Sequence, residues 1–105
     1  MKQWEIRYWT TQAGRSPVEK WLDDLTEEQL ELVFEEINLL KKAGNNLKLP
    51  HSKPLGGGLF ELRERRYGFR IYYHFKGNSI IILLAAGDKK SQDRDIKIAY
   101  KRLDN

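Results

Sequence analysis

The chain has 105 residues, a formal net charge of +4 and no cysteine. This length suits one domain, residues 1–105, and the lack of cysteine excludes disulfides, thiolate zinc sites and iron–sulfur clusters. Since 40% of the residues are hydrophobic and 32% charged, the composition is that of a globular protein. No apolar run reaches the roughly 20 residues that span a membrane, and residues 1–5 do not resemble a signal peptide, so a cytoplasmic location is expected.

The charge is unevenly distributed along the chain. Residues 1–44 carry six basic and nine acidic side chains, a balance of −3, whereas residues 45–105 carry 13 basic and six acidic side chains, a balance of +7. This polarity points to an anionic partner for the C-terminal part. A solvated basic surface that binds nothing is the alternative, and the asymmetry alone does not separate the two.

The first predicted elements are a strand and two helices. Apolar and charged residues alternate over residues 4–8, which predicts a half-buried strand. The segment Ser16-Pro17-Val18-Glu19 predicts a capped helix start, and Thr26 with Gln29 predicts a second capping box. The second helix is expected to end at Gly44.

Residues 45–58 contain two prolines and three consecutive glycines, which predicts a loop with a short extended piece at residues 47–49. Three strands are predicted next, over residues 59–64, 69–76 and 79–87, and the last is apolar enough to be central or covered on both faces.

A final helix is predicted after Ser91, which is expected to cap it. The fold class is therefore α+β in the order β-α-α-β-β-β-α, an antiparallel, mixed-order sheet with two N-terminal helices and a C-terminal helix on one face.

The alternation within these strands predicts an open polar face with two arginines on it. If strands 59–64 and 69–76 pair around a turn at residues 66–67, Arg63 faces Arg70 and Glu61 faces Tyr72. Two opposed arginines repel each other unless an anion lies between them, so we expect a phosphate clamp with Tyr72 beside it for stacking or orientation. The alternative is that Glu61 neutralises both arginines as an ordinary surface cluster.

Other candidate groups carry weaker signals. His51 and His74 form an acid/base pair only if the loop before the sheet folds over it. Asp88, Asp93 and Asp95 have the spacing of a partial carboxylate metal site, but basic residues lie among them and no histidine joins them. Stabilisation of the first helical turn explains Asp93 and Asp95 better, so no metal is expected.

At this point four segments of the chain resemble the RelE/ParE superfamily of bacterial and phage toxins, most closely its HigB-like, phage-derived branch. They are Lys53-Pro54-Leu55, residues 59–63, residues 68–73, and the ending from Lys89 to Arg102. The resemblance implies the toxin of a type II toxin–antitoxin system, held silent by an antitoxin from an adjacent gene, often a helix-turn-helix protein. It also implies cleavage of ribosome-bound mRNA without a metal or cofactor, by attack of the ribose 2′-hydroxyl on the adjacent phosphate.

The resemblance also assigns roles to individual residues. Arg63 and Arg70 would stabilise the charge of the transition state, Lys89 or Lys90 would hold a phosphate or protonate the leaving oxygen, and Lys53 would contact RNA backbone. The remaining substrate-contacting candidates are His51, His74, Arg65 and Arg66.

The acid/base residues do not carry over. Some members have an aromatic acid/base where this chain has Ile96, and a basic residue where it has Glu61. Glu61, if the arginines leave it free, and Tyr72 and His74 are the substitutes on the neighbouring strands. Two other functions therefore stay open: a ParE-like poison of DNA gyrase, and a non-catalytic module that binds nucleic acid or a partner.

Overall fold

Residues 3–104 are described in the computed structural model, and they form a five-stranded sheet with three α-helices. Met1, Lys2 and Asn105 lie outside the described residues. The prediction that residues 1–5 are not a signal peptide therefore falls partly outside them. The elements are β1 (Glu5–Tyr8), α1 (Pro17–Asp23), α2 (Glu27–Ala43), β2 (Ser52–Gly56), β3 (Leu59–Glu64), β4 (Phe69–Lys76), β5 (Ile80–Gly87) and α3 (Gln92–Leu103). The predicted α+β class is confirmed. Between residues 3 and 104, no helix is long and apolar enough to cross a membrane.

The strands lie in the order β1-β5-β4-β3-β2. β1 is parallel to β5, whereas the other neighbouring pairs are antiparallel, so the sheet is mixed in direction and not wholly antiparallel as expected. β2 is a strand that the sequence analysis placed within a loop. Pro54 favoured a loop over a strand, because proline interrupts a central strand. At the edge of a sheet, where β2 lies, proline is tolerated.

Helices cover both faces of the sheet, and the prediction of helices on one face is wrong. α1 and α2 pack on one face, where Leu22, Ile37 and Leu83 belong to the larger apolar core. α3 packs on the other face, where Ala99 and Leu84 belong to a second core. β5 contributes to both cores, as its continuous apolar sequence predicted.

The hairpin of β3 and β4 has the predicted register. Arg63 lies opposite Arg70, and Glu61 lies opposite Tyr72. Arg70 also lies opposite Gly87 at the end of β5, so the turn that leads into α3 begins next to the arginine pair. The register thus brings Arg63 of β3, Arg70 of β4 and the turn after β5 together at one corner of the sheet.

One of the three predicted helix caps forms. The hydroxyl of Thr26 accepts from the backbone N–H of Gln29, whose side chain accepts in return from the N–H of Thr26. Ser16 occupies the N-cap of α1, but its hydroxyl is buried without a hydrogen bond. Ser91 makes no side-chain cap for α3 either, because its hydroxyl accepts from the backbone N–H of Asp88, before the helix, and donates to the carboxylate of Asp95.

Candidate functional site

A basic cleft of about 280 Å³ lies at this corner of the sheet. Its walls come from the segment before β2, the β3–β4 hairpin and the turn before α3. The lining residues are Pro50, Arg63, Glu64, Arg65, Gly68, Phe69, Arg70 and Lys89. Four cations and one carboxylate line the cleft, which therefore suits an anion.

The two opposed arginines share one carboxylate. Arg63 Nε donates to Glu61 Oε1 at 2.8 Å, and Arg70 Nε lies 3.6 Å from Glu61 Oε2. Arg70 also donates from Nη1 to the carbonyl oxygen of Gly68 at 2.9 Å. Since the anionic Glu61 lies between the guanidinium groups, their mutual repulsion is offset and both remain beside the cleft.

Glu61 is not free to act as a base. Its side chain is 1% exposed, and Gln92 Nε2 donates to Oε2 at 2.8 Å in addition to the arginine contacts. The condition on which Glu61 was expected to serve as general base, freedom from the arginines, is therefore not met. Glu61 does neutralise the two arginines, which was the alternative to a clamp in the sequence analysis. The contact is buried and is not an ordinary surface cluster.

Tyr72 is fully buried beneath α3, so the expectation that it stacks on a ligand at an open face is wrong. Its hydroxyl makes no well-formed hydrogen bond, although the carboxylate of Glu61 is nearby. Burial first, and then the charge of Glu61, raise the pKa of Tyr72 far above its ordinary value of 10.0. Burial therefore disfavours ionisation of this phenol and keeps it out of reach of a ligand in the cleft.

The turn between β5 and α3 separates the two candidate lysines. Both are exposed, but Lys89 lines the cleft whereas Lys90 does not. Asp88 fixes the turn by accepting hydrogen bonds from the backbone N–H groups of Lys90 and Ser91, and these bonds lower the pKa of Asp88. The position of Lys89 is thus set by a hydrogen-bonded turn next to Arg70.

The two histidines do not form a pair. His51 Nδ1 lies 2.9 Å from Glu36 Oε1 of α2, on the face opposite to α3. His74 shares with Tyr72 the face that α3 covers, and burial together with Lys76 lowers the pKa of His74. His51 is the histidine nearer the cleft along the chain, because it follows Pro50 and its carbonyl accepts from the N–H of Arg63.

The remaining basic candidates are dispersed around the cleft. Arg65 is exposed and lines it. Lys53 is exposed on β2 opposite Glu61, outside the lining. Arg66 turns away towards α2, where its Nη2 lies 3.5 Å from Glu28 Oε1.

Residues 3–104 contain no group of three or more histidine and carboxylate side chains placed to hold a metal ion. Asp95 accepts from Ser91 and is nearly buried, whereas Asp93 is exposed, so the three aspartates of this region do not converge.

Two residues of the site were missed by sequence reasoning. Gln92 carries no charge and begins α3, and only the placement of that helix over the sheet brings its amide to Glu61. Glu36 is one of many acidic residues on α2 and is distinguished only by its contact with His51. The available signal was its spacing, three residues after Val33 and four before Leu40 of the apolar stripe, which places it beside the buried face of α2.

Comparison with known proteins relates the chain to a protein family and to a curated bacterial protein. A family model described as "Phage derived protein Gp49-like" matches residues 20–104, most of the chain. A protein of Haemophilus influenzae, described as uncharacterized, is 44% identical over 48 residues, which are 45% of this chain and 48% of that protein. The chain thus aligns with about half the length of this curated relative.

Proposed function

Because the chain belongs to the phage-derived Gp49-like family, which is associated with toxin–antitoxin systems and related to RelE-like toxins, we propose that it is an mRNA-cleaving toxin. In this proposal its substrate is mRNA bound to the ribosome, and it acts as a HigB-like toxin. A cytoplasmic location and an antitoxin from an adjacent gene, of the helix-turn-helix type, belong to the same proposal.

The basic cleft is the observation that carries this proposal. In the reaction, the ribose 2′-oxygen attacks the adjacent phosphorus, the bond to the 5′-oxygen breaks, and a 2′,3′-cyclic phosphate and a 5′-hydroxyl result. Negative charge accumulates on the phosphoryl oxygens in the transition state. Arg63 and Arg70 are placed to bind these oxygens, and fixed cations aimed at developing charge are among the largest contributions to catalysis.

Lys89 completes the group around the scissile phosphate. It lines the cleft beside the arginines and stabilises or protonates the leaving 5′-oxygen. The ribosome orders the mRNA so that the 2′-oxygen, the phosphorus and the leaving oxygen are in line, because a domain of 105 residues whose cleft of about 280 Å³ presents four cations contacts only two or three phosphates of a long RNA.

We assign the proton transfer from the 2′-hydroxyl to His51. Glu36 holds the ring through Nδ1, an arrangement that orients an imidazole and leaves Nε2 as the reactive nitrogen. His51 itself is outside the lining of the cleft, but Pro50, which precedes it in the chain, and Arg63, whose N–H donates to the carbonyl oxygen of His51, both line it. A His51→Ala variant should bind RNA as well as the wild type and cleave it about 10²–10⁴-fold more slowly. Cleavage at the wild-type rate would remove this assignment.

The decisive experiment replaces the arginines one at a time. Arg63→Ala and Arg70→Ala should each lower mRNA cleavage by about 10²–10³-fold and abolish growth arrest, because each removes a charged donor to the transition state. Arg7→Ala is the matched control, since Arg7 also contacts a carboxylate two residues away through Nε but lies on β1, outside the cleft.

The measurements are growth after controlled induction and mapping of mRNA 5′ ends, with circular dichroism to verify folding. Full toxicity of both arginine variants would refute the clamp. A DNA-damage response with intact mRNA would identify a gyrase poison instead, and RNA binding without toxicity would identify a non-catalytic module.

A further inference from the structure

We propose that Glu61 is a positioning residue, which holds Arg63 and Arg70 by their Nε atoms and thereby turns their outer N–H groups towards an RNA phosphate. This role rests on the function proposed above. It replaces the base chemistry expected of Glu61 and predicts that a buried negative charge strengthens the binding of an anion.

The contacts of the arginines support this role. Glu61 engages Arg63 through Nε at 2.8 Å, and no Nη atom of Arg63 donates a hydrogen bond to any residue between 3 and 104. Arg70 donates from Nη1 to Gly68, and its Nε is buried without a hydrogen bond, 3.6 Å from Glu61 Oε2, so its contact with Glu61 is an ion pair and its Nη2 remains for a ligand. A guanidinium group carries five N–H donors in a rigid fork, and fixing one edge fixes the direction of the others. The remaining Nη donors of Arg63 and Arg70 are available to a ligand, because both side chains line the cleft.

The surroundings of Glu61 make it a rigid support. Its side chain is 1% exposed, and both oxygens are engaged, Oε1 by Arg63 and Oε2 by Gln92 at 2.8 Å and Arg70 at 3.6 Å. Gln92 belongs to the first turn of α3, so the packing of that helix fixes the carboxylate. Without this support the two arginines would repel each other and separate.

Positioning and simple electrostatics predict opposite results. If only charge mattered, removing the negative charge of Glu61 would make the cleft more positive and tighten the binding of anions. If Glu61 positions the arginines, its removal frees their side chains and weakens binding. The sign of the change therefore distinguishes the two accounts.

The experiment measures the affinity of the purified full chain for a short single-stranded RNA whose 2′-oxygens are methylated, so that cleavage does not interfere. Fluorescence anisotropy at fixed ionic strength gives the dissociation constant. Glu61→Gln should raise it on the order of tenfold, the scale expected when contacting groups are displaced. Glu64→Gln is the matched control: Glu64 is also buried on β3 and lines the cleft, but it bonds the backbone N–H groups of Arg66 and Tyr67 instead of an arginine side chain. Its replacement should tighten binding.

Two further variants keep the test valid if Glu61→Gln does not fold. Glu61→Asp retains the charge but withdraws it by one methylene, and Gln92→Ala removes the donor that orients Oε2, so each should weaken binding several-fold. The Arg63 Nε–H should exchange with solvent faster in all three variants than in the wild type. ¹⁵N NMR measures this exchange rate.

Unchanged or tighter binding by the folded Glu61 variants would overturn the positioning role. A wild-type chain that binds no RNA would refute the clamp itself, and with it any role in positioning the clamp, which is a separate result.

Discussion

At the residue scale, the cleft depends on a buried carboxylate that is stable only because it is paired. Glu61 is removed from water, and a buried ionised group of this kind is tolerated when charged and hydrogen-bonding partners satisfy it. Removing one partner of a buried ion pair costs about 3–5 kcal/mol, since the other charge is left uncompensated. Arg63 and Arg70 are 29% and 16% exposed, so water replaces part of each contact and the cost of truncating either arginine falls below that range.

The two lysines of the turn before α3 provide a direct test at the same scale. Lys89→Ala should reduce mRNA cleavage by about 10–10²-fold, because it removes a cation from the cleft wall. Lys90→Ala removes the same charge one residue further on, outside the cleft, and keeps the backbone N–H that bonds Asp88. It should leave cleavage within about twofold of the wild type. Mapping of cleaved mRNA ends after induction of each variant measures the difference, and equal losses would show that this turn acts only through its total charge.

At the element scale, α3 determines what the sheet presents to a ligand. Its first turn contributes Gln92 to Glu61, and at its other end Tyr100 donates to the carbonyl oxygen of Gly56 at 2.9 Å. Arg102 donates to the carbonyl oxygen of Leu84 at 2.7 Å and lies over the ring of Trp9. With both ends attached, α3 covers Tyr72 and leaves the corner with the arginines accessible.

The close approach of α3 to β5 requires a glycine at position 87. A Cβ there would lie 2.0 Å from Asp95 Oδ2 and 2.4 Å from Ser91 Oγ. These two oxygens cannot move apart easily, because Ser91 Oγ donates a hydrogen bond to Asp95 Oδ2. Gly87→Ala should therefore lower the free energy of unfolding by about 1–3 kcal/mol, the usual cost of overpacking. Urea unfolding measures this change. The loss should be smaller in an Asp95→Ala background, where the atom in closest contact is gone, and an equal loss in both backgrounds would contradict the assigned clash.

The β3–β4 register could be predicted from the sequence, whereas the packing of α3 could not. The alternation in β3 and β4 and the position of their turn were sufficient to place Arg63 opposite Arg70 and Glu61 opposite Tyr72, because strand periodicity and a short turn fix the register. The side on which α3 packs depends on contacts between segments far apart in the chain, and local patterns do not encode it. The burial of Tyr72 and the role of Gln92 follow from that packing and were missed for this reason.

At the scale of the whole molecule, the unequal charge along the chain becomes a division in space. The balance of −3 belongs mainly to α1 and α2 on one face of the sheet. The balance of +7 is shared by the later strands, the segments that connect them and α3, which meet at the cleft. The sequence indicated an anionic partner for the basic half, and the fold concentrates four of its cations on one cavity. Binding to RNA should thus be local, and not spread over the surface.

The salt dependence of RNA binding tests this localisation. For single strands, the logarithm of the binding constant falls with the logarithm of the salt concentration with a slope of about −0.7 per phosphate neutralised. Two or three phosphates fit the four cations of the cleft, since Arg63 and Arg70 share one, so we expect a slope of roughly −1.4 to −2.1. Arg65→Ala should make the slope less steep by about 0.7, whereas Arg7→Ala on β1 should not change it. Anisotropy titrations with the methylated RNA at several salt concentrations give these slopes. A slope steeper than about −4 in the wild type would show that the RNA follows a basic surface extending well beyond the cleft.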